Sequence, residues 1–179
     1  SLVEQGLARQ GDVDHYDVHD LIREFLLRSL EENTKKEFHA KCCTWYEKQN
    51  FTAAIVIEHI FHLIRSGKGT EAALLISEQG RDLVAQGHME VLGLMDGLSL
   101  DSLEVDVQMR VLQLRGEILV LLSRFSEAEE AFVSTQNLGV KSKPTRLGAE
   151  VLSALADIAL KQGDTEKALA MHHDALENF

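Results

Sequence analysis

A single proline, Pro144, occurs in 179 residues, and this scarcity constrains the fold more than any motif does. Proline breaks helix interiors, whereas Ala, Leu and Glu favour them, so long stretches free of proline predict helices throughout, with sheet reduced to a minor part. With 45% hydrophobic and 26% charged residues the chain is apolar enough to bury a core. The expected class is all-α: antiparallel helix pairs stacked into a superhelix, with one small β-hairpin at the N-terminus.

The hairpin is read from residues 7–18, two short strands around Gly11-Asp12, preceded by a helix end stopped at Gly6. Leu2, Val3 and Leu7 have no helix before them to pack on, so the chain is expected to begin inside a domain. Asp17 is placed to cap a helix whose apolar positions Val18, Leu21, Ile22, Phe25, Leu26 and Leu30 keep the spacing of one buried stripe. Asn33 should end it, and Thr34-Lys35-Lys36-Glu37 forms a capping box for a second helix with Phe38, Cys42, Trp45 and Tyr46 on its core face. Residues 1–49 make up this first unit.

Residues 50–101 read as irregular helix pairs: Ala53 to Arg65 stopped at Gly67, then Thr70 to Gln79 stopped at Gly80, then short pieces between Gly87, Gly93 and Gly97. Residues 102–179 hold two regular pairs. The first runs from Ser102 to Leu122 and, after a capping box at Ser126 to Glu129, to Gly139; Lys141 to Pro144 is a loop, and the second pair spans Thr145 to Lys161 and Thr165 to Asn178 around Gly163-Asp164.

These two pairs superimpose on one template. Aligning Ala128 with Ala168 puts Leu112 on Leu152, Gly116 on Ala156, Leu119 on Ala159 and Phe132 on His172. The pattern resembles the tetratricopeptide repeat, whose helices cross closely at small residues, here Gly116 with Ala128, and Ala156 with Ala168 and Ala175. Ala72 after Gly67 makes a third, weaker copy. The step from Ala128 to Ala168 is 40 residues rather than the roughly 34 of the family, the family tryptophan is Leu112 or Leu152, and the closing proline is absent. The resemblance implies a groove that holds a protein or peptide segment. From helical phase, the groove candidates are Gln113, Glu117, Val120, Asp157 and Leu160.

A second resemblance rests on Tyr16-Asp17-Val18-His19-Asp20-Leu21-Ile22. It is similar to the winged-helix end of STAND-class signalling ATPases, including the NB-ARC switches, with Val18-His19-Asp20 in place of their Met-His-Asp. It implies that His19 touches the phosphate of a bound nucleotide in a longer protein, with the helical array as sensor. The competing reading pairs His19 with Asp20 or Asp17. No G-x-x-x-x-G-K-[ST] loop occurs in these residues, so no catalytic site and no cofactor are expected here. Two alternatives are a plain adaptor without an ATPase domain and a winged-helix DNA-binding regulator with a helical sensor.

A net charge of −11 opposes phosphate backbones and anionic lipid, so neither nucleic acid nor membrane is an expected partner. Adjacent Cys42 and Cys43 suit no disulfide framework or CxxC site; with no signal peptide and no run of about 18 apolar residues, the expected location is the cytoplasm. His59 and His62 with Glu58 could ligate zinc only with further donors, and His172-His173 point to different sides of a helix. Cys42 and Cys43, with only His39 nearby, are read as helical core or boundary; Trp45 and Tyr46 as core; and Glu127, Glu129 and Glu130 as a solvated helix start.

Overall fold

The computed structural model describes residues 8–10, 16–18, 24, 25, 28–139 and 146–177. Two strands come first, β1 (Ala8–Gln10) and β2 (Tyr16–Val18), paired antiparallel with Ala8 opposite Val18 and Gln10 opposite Tyr16. The helices with defined bounds follow: α1 (Glu32–Tyr46), α2 (Ala53–Arg65), α3 (Gly69–Ala85), the short α4 (Val91–Met95), α5 (Val105–Leu121), α6 (Phe125–Gly139), α7 (Arg146–Gln162) and α8 (Thr165–Glu177). A 3-10 turn at Leu100–Ser102 leads into α5. The described residues are thus overwhelmingly helical.

Consecutive helices pack on one another, while α3 also passes to α5, and α5 to α7. One core runs from Cys43 of α1 through Ile60, Ile76, Ile118 and Phe132 to Leu155 and Ile158 of α7. A small alanine cluster, Ala156, Ala159 and Ala168, closes the last pair. In α2 the stripe is Val56, Ile60 and Leu63, the i, i+4, i+7 spacing of a helix buried on one side.

Three pairs, α2/α3, α5/α6 and α7/α8, share one turn. Gly67, Ser123 and Gly163 take positive φ values of 86°, 59° and 88°. Each lies five residues before an alanine, Ala72, Ala128 or Ala168, that is at most 1% exposed. The next amide reaches back over each turn to the same carbonyl position: Lys68 N–H to Leu63 O, Arg124 to Leu119 and Asp164 to Ala159, at 2.8–2.9 Å. This left-handed closure satisfies carbonyls that a helix end leaves free. The alanine N–H then opens the following helix by donating to Lys68, Arg124 or Asp164 O.

Several expectations are corrected. Val18 ends a strand rather than opening a helix, so Asp17 is not a helix cap; residues 24, 25, 28 and 29 are helical, but Phe25 is 70% exposed rather than part of a buried stripe. Asn33 and Thr34 lie inside α1, whose N-cap residue Glu31 makes no side-chain cap bond, so the capping box does not form there. The buried residue of α1 is Cys43, with Phe38 and Trp45 both more than half exposed, because among the described helices α1 packs mainly on α2. The helix after Gly67 does not stop at Gly80 but continues to Ala85. Ser126 likewise lies within α6, which starts at Phe125. The Lys141 to Pro144 loop and the residues around Gly11 lie outside the described residues.

Candidate functional site

Helices α3, α5 and α7 bound an open hollow of about 610 Å³. Its apolar lining comes from Val84 of α3, Leu114, Val120 and Leu121 of α5, Phe132 of α6 and Ala154 of α7. The rim is charged and internally paired. Arg81 of α3 donates through Nε and Nη2 to the two carboxylate oxygens of Glu117 at 3.1 and 2.7 Å, and its Nη2 lies 3.9 Å from Glu150 Oε2. Gln113 Nε2 donates to Glu150 at 3.2 Å and Arg146 Nε at 2.9 Å. The bond from Gln113, with Arg146 and Arg81 nearby, outweighs desolvation and holds the Glu150 carboxyl below its ordinary range. The same bidentate geometry raises the Arg81 guanidinium. This chain of ions and amides ties three successive pairs together at one edge of the hollow.

Of the five groove candidates, Glu117, Val120 and Asp157 line this hollow. Gln113 is 4% exposed and faces Glu150 instead of solvent, so its work is to orient that carboxylate. Leu160 is exposed but is not part of the lining. The sequence reading missed Arg81 and Val84, because helical phase within one repeat does not say which preceding helix lies alongside. The available signal was the opposite charge of Arg81 and Glu117. His19 and Asp20 lie outside the described residues.

A second cluster joins α1 to α2. His39 Nδ1 and His62 Nδ1 are 2.7 Å apart, so one ring must donate and the other accept. Tyr46 stacks on His62 with centroids 5.4 Å apart, Glu58 Oε2 lies 3.9 Å from His62 Nε2, and His59 Nε2 is buried with no hydrogen-bond partner. Burial lowers the proton affinity of all three imidazoles. Arg65 adds to this at His39; His39 and His59 add to it at His62; Glu47 and Glu71 oppose it at His59. Among the described residues no group of three or more His, Cys, Asp or Glu could hold a metal ion. Cys43 is buried and Cys42 partly so, and burial raises both thiols, which leaves them poor nucleophiles. His172 is half-exposed, with Nε2 3.7 Å from Asp157 Oδ1, rather than packed as Phe132 is. Glu127 pairs with Arg124 and Glu129 with Lys167 of α8.

The histidine cluster has a definite pH sign. Each imidazole titrates below its ordinary 6.5 in the folded chain, so below that pH the unfolded chain binds more protons. Stability should therefore fall with acidification. We expect the melting temperature to drop between about pH 7 and about pH 5.5, a window above that of the lowered carboxylates. His39→Gln with His62→Gln should flatten this slope in a calorimetric pH series; an unchanged slope would clear the cluster of any part in it.

No family model matches the chain, and no curated protein matches it in sequence. Among solved structures it is similar to the crystal structure of BtubC (BKLC) from P. vanneervenii, at 14% identity and a TM-score of 0.43, over 84% of this chain and 58% of that one. The chain therefore spans less than two thirds of that structure's length. No helix among the described residues is long and apolar enough to cross a membrane.

Proposed function

We propose that this chain is a partner-binding scaffold of tetratricopeptide-like helix pairs, holding a protein or peptide segment in the hollow bounded by α3, α5 and α7. The observation that carries the reading is the shared left-handed turn at Gly67, Ser123 and Gly163, each followed five residues later by a buried alanine. Repetition of one turn and one close crossing is what stacked helix pairs require, and such stacks offer concave faces to extended ligands. The apolar lining from Val84 to Ala154 can take side chains of that segment, and Glu117 and Asp157 can fix its register.

The chain is also proposed to be the sensor end of a nucleotide-regulated signalling or transcription-regulating protein of the STAND type. That extension rests on Val18-His19-Asp20 and on the order in which the helices follow it. Partner binding would then bias how His19 meets a nucleotide held elsewhere in the longer protein.

A photo-crosslinker at Val120 should capture one defined segment. Val120→Glu should weaken that segment about tenfold or more, since a carboxylate would enter an apolar wall, while exposed Lys48→Glu should not. Capture that is indifferent to Val120→Glu would remove the hollow from the reading. In the longer protein, unchanged ADP affinity after His19→Ala would remove the nucleotide part and leave the scaffold.

A further inference from the structure

A second hollow, about 880 Å³, opens between α1, α2 and α4 and shares no lining residue with the first. Lys35, Lys36 and Arg65 face it beside an apolar wall of Phe61, Ile64 and Leu94. Its two carboxylates are already engaged: Glu32 accepts from Lys35 at 2.6 Å, and Asp96 accepts from Arg115 of α5 at 2.7 Å. Lys36 and Arg65 have no carboxylate within ion-pair distance among the described residues. Arg65 instead lies over the Phe61 ring, 5.4 Å from its centroid. The hydrogen bond and charge of Lys35 chiefly hold the Glu32 carboxyl low, and the fields of Lys36 and Arg65 add to it. Two cations without an ion-pair partner among the described residues, set beside an apolar wall, stand out in a chain of net charge −11.

We propose that this hollow is a docking site for an acidic, partly apolar peptide segment of another protein, independent of the groove at α5. Carboxylates of the segment pair with Lys36 and Arg65, and an apolar side chain covers Phe61, Ile64 and Leu94. A bare anion would leave that wall and most of the volume unused. Nucleic acid and anionic lipid present extended charge to a molecule of the same sign. A short segment meets mainly the local cations, because at physiological salt charges beyond about 8 Å are screened.

The test uses the whole chain and a fluorescent peptide of about ten residues made of Glu and Leu, followed by anisotropy at about 150 mM salt. Binding is expected for this peptide and not for its Lys and Leu counterpart. Lys36→Glu with Arg65→Glu should weaken it about tenfold or more, while Val120→Glu leaves it unchanged and so separates this site from the groove. A second variant guards against misfolding. A Cβ at Gly93 would meet nothing within 4 Å, so Gly93→Glu sets an internal carboxylate at the hollow without a clash and should weaken the peptide, whereas Gly93→Gln should not. The proposal is overturned if the double reversal leaves affinity unchanged, if pyrophosphate displaces the peptide as well as an unlabelled copy does, or if phosphatidylserine vesicles bind the same residues more strongly.

Discussion

Phe132→Ala should lower the free energy of unfolding by about 3–5 kcal/mol, the usual cost of emptying a buried aromatic site. Phe132 is 1% exposed and sits in the main core, where α5 and α6 cross at a glycine. A Cβ on Gly116 would lie 2.6–2.9 Å from three carbons of that ring. Gly116→Ala therefore gains about 1 kcal/mol of helix propensity and loses more through overpacking, typically about 1–3 kcal/mol. The ring is flat and rigid, so it cannot yield as an aliphatic tip would. In urea titrations Gly116→Ala should cost clearly less in a Phe132→Leu background, with a coupling of about 1 kcal/mol. Additive effects would mean that ring and glycine do not set each other's positions.

Gly80→Val should cost about 1–3 kcal/mol by the same overpacking, with a different relief. The Cβ would run into Leu114 Cδ2 and little else. Leu114 lines the 610 Å³ hollow, so its side chain has room to swing away. Leu114→Ala should recover part of the loss. Gly80→Ala should be close to neutral in stability, because helix propensity offsets the displacement, yet it should narrow the hollow and weaken any segment held there. A Gly80→Ala protein that keeps full affinity would show that Leu114 moves without narrowing the hollow.

Much of this was legible in the sequence, for a physical reason that also explains the misses. Helical period and small residues at fixed offsets are local signals, so α2, α5, α7, α8 and the alanines at 72, 128 and 168 could be read directly. Gly80 was misread as a stop because glycine ends helices and also permits close approach, and only the neighbouring helix decides which. The capping boxes at Thr34 and Ser126 failed because the helices were already under way, started at Glu32 and at Phe125 just after the left-handed Ser123. Trp45 and Phe38 look like core residues in any sequence, but exposure depends on what covers α1. Of the residues chosen by helical phase, Glu117, Val120 and Asp157 line the hollow, whereas Arg81 was not among them, because its place depends on how α3 lies along α5.

The small residues at the helix crossings act as a gauge. Gly116 against Phe132, and Ala156 near Ala168, fix how far apart neighbouring axes can sit, and those distances set how wide the hollow opens on the other side. The dimensions offered to a ligand are thus written in part at Gly116, Ala156 and Ala168, which do not line the hollow. Two relatives of this chain could share every lining side chain and still select segments of different girth, through one methyl group at a crossing.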